Sequence, residues 1–307
     1  MKILFLSDGI YPFSIGGMQK HSSEMVKVLL DKNCSVTLVF CVEKDQQLPN
    51  FEEIAEKLSI PLQHKDKFTV IGLKFPSPGK FPGHYIRNSK IYSRNIFDVI
   101  KDQLINFDFI YAQGFTAWYL MESDVNRPPI GVNFHGLNMF QPTIGIKNKL
   151  IARMFRKSVI KNLKLADFIF SFGGIFNSIY QKIGVADKLI FQPIGIYSSK
   201  IQTTPKEPGD KLHFVFIGRN DRVKGLEILN RSLTSIPLVK FHFTFVGDIP
   251  SGKQLQRKDC RYTGILNEKE IENILQNADV LLCPSFSEGM PYVILEAMAK
   301  GLFIIAT

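Results

Sequence analysis

Cysteine, tryptophan and long apolar runs are scarce in this 307-residue chain, and each scarcity closes off a class of answer. The four cysteines, Cys34, Cys41, Cys260 and Cys283, form no Cys-x-x-Cys pair, and no histidine stands at zinc-ligand spacing from them. Three lie in apolar stretches that read as strands, where a thiol behaves as a small hydrophobe, so reduced structural thiols in a reducing compartment are expected. No apolar run approaches the ~18 residues of a spanning helix. The start, Met1 to Asp8, holds too few apolar residues for the core of a signal peptide. A cytoplasmic protein is the expectation. No Asp-x-Asp occurs, and neither a short repeat nor a low-complexity tract is present.

What is present is an ordinary globular balance, with 45% hydrophobic and 21% charged residues, which excludes disorder, collagen-like sequence and coiled coil. The length corresponds to about two domains of ~150 residues. Short β-branched and aromatic runs alternate with helical patterns. Strands are predicted at 2–7, 35–41, 68–73, 108–111, 129–134, 167–171 and 188–192, then at 212–217, 241–246, 260–263, 279–283 and 302–306. Helices are predicted at about 17–32, 85–105, 147–165, 173–182, 223–235, 268–277 and 291–300. Such alternation implies parallel sheets covered on both faces. The stretch from Ser198 to Asp210, with Pro205, Pro208 and Gly209, lacks apolar periodicity and reads as a linker. The expectation is therefore a Rossmann-like domain over 1–197, a linker over 198–210 and a second Rossmann-like domain over 211–307, with ligands at strand carboxyl ends and in the cleft between domains.

Strand ends are thus where chemistry is sought. The first strand runs into Ser7-Asp8 and a loop ending in Gly16-Gly17, after which a helix starts. Two glycines at a helix N-terminus let backbone amides and the positive dipole end approach an anion, although an ordinary flexible turn has the same sequence. His21, one turn on, is by itself more often packed or solvated than functional. The strand Gly131-Val-Asn-Phe ends at His135-Gly136, where a histidine could bond a sugar or simply pack. The first strand after the linker ends at Gly218 and is followed by Arg219, Arg222, Lys224 and Gly225. Cations there point to an anionic ligand, or to a solvated turn. This stretch has neither G-x-G-x-x-G nor G-x-x-x-x-G-K-[ST] spacing, which removes the main support for a nicotinamide or P-loop site.

The most specific segment is Pro284-Ser-Phe-Ser-Glu288-Gly289-Met290-Pro291, followed by Glu296 and Lys300. Pro291 suits the first turn of a helix, which sets Glu288 in the loop before it. Glu296 would lie about 10 Å away along a regular helix, so the two carboxylates can hold two parts of an elongated ligand but cannot share a proton. The plain alternative is a dipole-favoured acid at Glu288 and an i,i+4 pair between Glu296 and Lys300.

Taken in order, Gly16-Gly17-x-x-x-His21, His135-Gly136, Gly218-Arg219 with Lys224-Gly225, the lead-in Ala278 to Ser285, and Glu288-Gly-x-Pro with Glu296 resemble the retaining glycosyltransferases of family 4, from Met1 to Thr307. The resemblance implies a GT-B fold: α/β, two Rossmann-like domains facing a cleft, the second incomplete because the chain stops directly after the strand Phe303 to Ala306. It implies that Arg219 and Lys224 neutralise a donor diphosphate and stabilise it as it leaves. Gly16 and Gly17 would bring amides to the phosphates or the sugar. Glu288, with Gly289, Met290 and Pro291 after it, would hold donor sugar hydroxyls, Glu296 the ribose, and His135 would sit beside the reacting sugar. The leaving phosphate would help to deprotonate the acceptor on one face, with no enzymic nucleophile. No cofactor and no metal are implied, since the nucleotide-diphosphate sugar is a co-substrate and two cations serve its phosphates. Two departures stand out: Pro193 to Tyr197 replaces an Asn-Gly-Val/Ile-Asp element, and Asn220 follows Arg219 where an apolar residue is common.

Charge completes the reading. The net is +10, yet residues 201–307 hold 13 Lys and Arg against 12 Asp and Glu, so the excess sits in the first 200 residues. Lys147, Lys149, Arg153, Arg156, Lys157, Lys161 and Lys164 follow one another with no acid between them. At ~100° per residue six of them, from Lys149 on, share one arc, while Ile151, Met154, Phe155, Val159 and Leu163 share the other. A basic amphipathic helix over 147–164 fits the anionic inner face of a membrane, or a solvated helix with its apolar side in the core. Interleaved aromatics for base stacking are missing, so nucleic acid is not expected. The function expected is transfer of a sugar to a glycan or lipid-linked acceptor in envelope polysaccharide or glycolipid synthesis. A transferase making a small disaccharide or polymer, and an inactive donor-binding or membrane-binding remnant, stand as alternatives.

Overall fold

The computed structural model describes the chain except for residues 78, 80, 82, 142–145, 205, 208, 238–240 and 287 and the side chain of Lys147. Pro205, Pro208 and the Lys147 side chain, all named above, therefore lie outside the described residues. Two compact units are present, Met1–Pro193 and Ile194–Thr307. In the first, β1 (Lys2–Leu6), α1 (Gly17–Asp31), β2 (Ser35–Val42), α2 (Phe51–Lys57), β3 (Phe68–Lys74), α3 (His84–Ile100), β4 (Phe109–Gln113), α4 (Trp118–Glu122), β5 (Ile130–Asn133), α5 (Ile146–Leu165), β6 (Phe168–Ser171), α6 (Ile175–Ile183) and β7 (Leu189–Phe191) follow one another. The seven strands form one parallel sheet in the order β3-β2-β1-β4-β5-β6-β7. Leu4, Phe5, Leu6, Leu38, Val39 and Phe40 are fully buried, as strands covered on both faces require. Gly131 in β5 lets the Tyr111 and Phe170 rings stack at 4.6 Å, for a Cβ there would lie 2.5 Å from the Phe170 ring. Phe5 continues the stack at 4.9 Å.

The second unit contains β8 (Leu212–Ile217), α7 (Leu226–Ser235), β9 (Phe241–Val246), β10 (Cys260–Gly264), α8 (Glu268–Asn277), β11 (Val280–Cys283), α9 (Tyr292–Ala299) and β12 (Phe303–Ala306). Its sheet is parallel in the order β10-β9-β8-β11-β12. Val215, Val246, Leu281 and Ala297 build a core on one side, and Phe216, Phe245 and Leu229 on the other. Asn267 and Glu270 cap α8 reciprocally, at 3.0 and 2.8 Å. The stretch before β8 is fastened to this unit: Gln202 N donates to Ala299 O at 2.7 Å, and Lys206 Nζ lies 3.1 Å from Asp279.

Every expected strand is present, and the differences lie in helix ends and in two short helices, α2 and α4, that the sequence reading did not include. The helix expected to Ile105 stops at Ile100 and tightens into a 3-10 turn over Lys101–Asn106. The helix expected from Val223 begins at Leu226, because Gly225 at φ 73° separates it from a 3-10 turn over Arg222–Lys224. Pro291, expected inside α9, precedes it with an extended ψ of 120°. All four cysteines are free thiols. Among the described residues no helix is long and apolar enough to cross a membrane.

Candidate functional site

In the second sheet chain order reverses between the neighbours β8 and β11. Beside the carboxyl ends of two such strands an open α/β sheet leaves a crevice, because their connections depart to opposite faces. Two loops flank it, 218–225 after β8 and 284–291 after β11. Phe286 N donates to Val223 O at 2.8 Å, stitching one to the other. Gly225 makes the approach possible: a Cβ there would lie 1.8 Å from Pro284 O. Asp221 fixes the turn by accepting from Lys224 N at 3.0 Å.

The result is that Lys224 Nζ and Glu288 Oε1, 64 residues apart in sequence, meet at 2.5 Å with both side chains half-buried. Each charge satisfies the other in a place where solvent is partly excluded. Arg219 is not drawn into this pair. Its side chain is 81% exposed and its Nη2 lies 3.4 Å from Asp221. Gly289 is exposed, while Met290, Pro291 and Glu296 are half-buried. Lys300 is buried with its ammonium 2.6 Å from Glu272. Sequence reasoning missed Lys253, whose Nζ donates to Asn220 Oδ1 at 3.1 Å and adds a cation to the rim of this loop. Its signal was position alone, just beyond β9, the strand beside β8.

The first unit carries a second set of polar groups at its strand ends. Gly16 precedes α1 and Gly17 opens it, and a Cβ at Gly17 would meet nothing within 4 Å among the described residues. His21 is buried, its ring 4.7 Å from that of half-buried His135 and 6.0 Å from Phe172. Between the imidazoles lies Gln113, the fully buried last residue of β4. Its Oε1 is 2.6 Å from His135 Nε2, and its Nε2 is 3.3 Å from His21 Nδ1. Burial holds the His21 imidazole down at about 4, and burial with the neighbouring His21 holds His135 well below the usual histidine range. Both rings are therefore neutral at pH 7. After β1, Asp8 accepts from Gln19 at 3.2 Å and Tyr85 at 3.4 Å, yet burial outweighs these bonds and pushes its carboxyl up to about 6. Neither Gln113 nor Asp8 was singled out from sequence.

The basic helix is α5, and its faces differ from the wheel. Val159 and Leu163 are buried as expected, but Met154 is 38% exposed. Arg156 is half-buried, donates to Met139 O and lies over the Phe140 ring. Lys161 pairs with Glu122, which also holds Lys90 at 2.8 Å and accepts from Trp118 Nε1 at 2.9 Å. Lys149, Arg153 and Lys157 are exposed beside Ile146 (88% exposed) and Leu150 (62%). Ile146 and Leu150 belong to neither set named above; at ~100° per residue they fall among the basic residues, and they face solvent with them.

Residues 211–307 match the family model described as Glycosyl transferases group 1, which takes in both loops of the crevice. A teichuronic acid biosynthesis glycosyltransferase of Bacillus subtilis, TuaC, is 34% identical over 125 residues, 38% of this chain and 32% of that protein. The chain thus matches about a third of the length of that curated relative. An uncharacterized glycosyltransferase of Methanocaldococcus jannaschii is 25% identical over all of this chain and 79% of its own length. Among solved structures, Anabaena HepE in complex with UDP and glucose superposes with a TM-score of 0.64 at 18% identity, over 100% of this chain and 80% of that one. The resemblance to group 1 glycosyltransferases is borne out, and the α/β fold with two parallel sheets is that of GT-B glycosyltransferases.

Proposed function

We propose that this chain, a relative of the group 1 glycosyltransferases, moves a sugar with retention from a nucleotide-diphosphate sugar to a glycan or lipid-linked acceptor in envelope polysaccharide or glycolipid synthesis. The observation that carries the reading is the Lys224–Glu288 pair at 2.5 Å beside the β8/β11 switch point. A diphosphate takes Lys224, with exposed Arg219 swinging onto the same oxygens, and Glu288 is released to accept from sugar hydroxyls. As the glycosidic bond breaks, negative charge grows on the leaving phosphate and the two cations stabilise it there. Glu296 on α9 takes the ribose, and the backbone of Gly289, Met290 and Pro291 borders the sugar. In the first unit Gly16 and Gly17 offer amides, and His135 contacts the reacting sugar. The departing phosphate accepts the acceptor's proton, so no side chain serves as nucleophile, and with two cations on the diphosphate no metal is called for.

The relative named for teichuronic acid biosynthesis supports a polysaccharide or glycolipid setting. The exposed face of α5, with Ile146 and Leu150 beside Lys149, Arg153 and Lys157, supports peripheral association with an anionic membrane.

The experiment is a thermal-shift panel of UDP-, GDP-, ADP- and dTDP-sugars, with Lys224→Ala as control. One nucleotide sugar raises the melting temperature of the native chain, and the rise is lost in the variant. If no compound raises it, the donor site is not in use and the remnant reading replaces this one.

A further inference from the structure

The core of the first unit contains a polar seam that packing alone does not call for. Gln113 and Asn133 are register partners at the ends of β4 and β5, and both are fully buried. Asn133 donates to Tyr111 Oη at 3.1 Å, and Tyr111 donates to Gln192 at 2.6 Å. On Gln113 the seam reaches two imidazoles, His21 from α1 and His135 from the loop after β5. A buried amide without partners is costly, and an apolar side chain of the same size would fill the space without that demand.

An amide oxygen only accepts and an amide nitrogen only donates. With Gln113 Oε1 at 2.6 Å from His135 Nε2, that ring nitrogen carries the proton. With Gln113 Nε2 at 3.3 Å from His21 Nδ1, that nitrogen is bare. A neutral imidazole holds one N–H, so His135 is left with its lone pair on Nδ1. Phe172, 5.2 Å from the His135 ring, and the edge of His21 at 4.7 Å restrict rotation that would exchange the two nitrogens.

We infer that Gln113 is a positioning residue: held between His21 and His135, its amide fixes both rings as Nε2–H tautomers and so turns His135 into a hydroxyl acceptor at Nδ1 for the transferred sugar. This deepens the proposed function and rests on its assignment of His135 to the sugar. A methionine gives neither bond, and a glutamate, accepting with both oxygens, favours a proton on each facing nitrogen.

The test reads the rings directly. The chain is labelled with 15N-histidine, and long-range 1H–15N correlation spectra are recorded near pH 7.5. Among its six histidines, the two signals are assigned with His21→Asn and His135→Asn. Expected are Nε2–H tautomers for both in the native chain, averaging of tautomers for His135 in Gln113→Met, and protonation of both nitrogens in Gln113→Glu. In ligand titrations Gln113→Met weakens binding of the nucleotide-diphosphate sugar about tenfold, the scale of one hydrogen bond, and leaves the free nucleoside diphosphate unchanged. A native His135 protonated on Nδ1 overturns the inference, and so does a Gln113→Met variant that weakens both ligands equally. If no nucleotide sugar binds the native chain, the proposed function fails, while the tautomer pattern still decides the role of Gln113.

Discussion

Replacing Gly225 by alanine tests whether the two loops of the crevice must touch. The residue sits at φ 73°, and its new Cβ would lie 1.8 Å from Pro284 O and 2.8 Å from Pro284 C. Both contacts are to backbone, so no side chain can swing aside. Gly301 is a control in the same unit, with φ 74° and nothing within 4 Å of a Cβ among the described residues. Left-handed backbone costs an alanine ~1 kcal/mol at either position. At Gly225 the loops must also part, an overpacking cost of about 1–3 kcal/mol. The variants should therefore differ by ~2 kcal/mol, or about 8 °C in melting temperature for a unit of this size. Calorimetry on the whole chain measures this, and fluorescence of Trp118, which lies in the first unit, marks the transition that does not belong to the second. Gly225→Ala also abolishes the nucleotide-sugar thermal shift because Lys224 and Glu288 are carried apart, whereas Gly301→Ala keeps it. Equal destabilisation by the two substitutions would refute the close-approach argument.

Asp8 gives a pH test. Its pKa is raised from 3.8 to about 6 by burial, so the stability it contributes is full below pH 4 and is lost as pH rises through 6. Asp8→Asn should melt above the native chain at pH 7.5, by the equivalent of about 2–3 kcal/mol, with the gap closing near pH 4; a gap that grows toward acid would sink the assignment. Glu122 behaves oppositely: burial opposes its charge, but bonds from Lys161, Lys90 and Trp118 prevail and hold it at about 2. Its contribution is present above pH 4.5 and lost as pH falls through 2, so Trp118 emission should shift over that range in the native chain and not in Glu122→Gln. Neutralising Lys149, Arg153 and Lys157 to glutamine should weaken sedimentation with anionic liposomes about a hundredfold at low salt, at ~1 kcal/mol per cation, and leave neutral vesicles unaffected. Native protein that ignores anionic vesicles at low salt removes the membrane reading.

Much of the fold was legible because parallel strands buried on both faces are written as short runs such as Ile3-Leu-Phe-Leu6 and Phe241-His-Phe-Thr-Phe-Val246. Two helices were not. α2 has seven residues in a polar stretch, announced only by Asn50, which accepts from Glu53 N at 2.8 Å, and α4 has five residues, too few to show a period. Lys224 and Glu288 were each visible as polar residues at strand ends. Their pairing was not, since it depends on β8 lying beside β11 while β9 and β10 go to the other edge. Gln113 was harder still: it is one amide in the run Phe109-Ile-Tyr-Ala-Gln113, and its meaning comes from two histidines reached only after folding.

On the proposed function, the closed Lys224–Glu288 pair makes the crevice a coincidence detector. A bare diphosphate that captures the ammonium strands a half-buried carboxylate, and a free sugar that captures the carboxylate strands the ammonium. A nucleotide-diphosphate sugar, with its diphosphate bonded to the sugar whose hydroxyls Glu288 would hold, answers both groups at once. On the proposed function the same arrangement favours departure of the spent nucleotide: once the sugar is gone, Glu288 has lost its partner and draws Lys224 back, so each turnover ends by resetting the site.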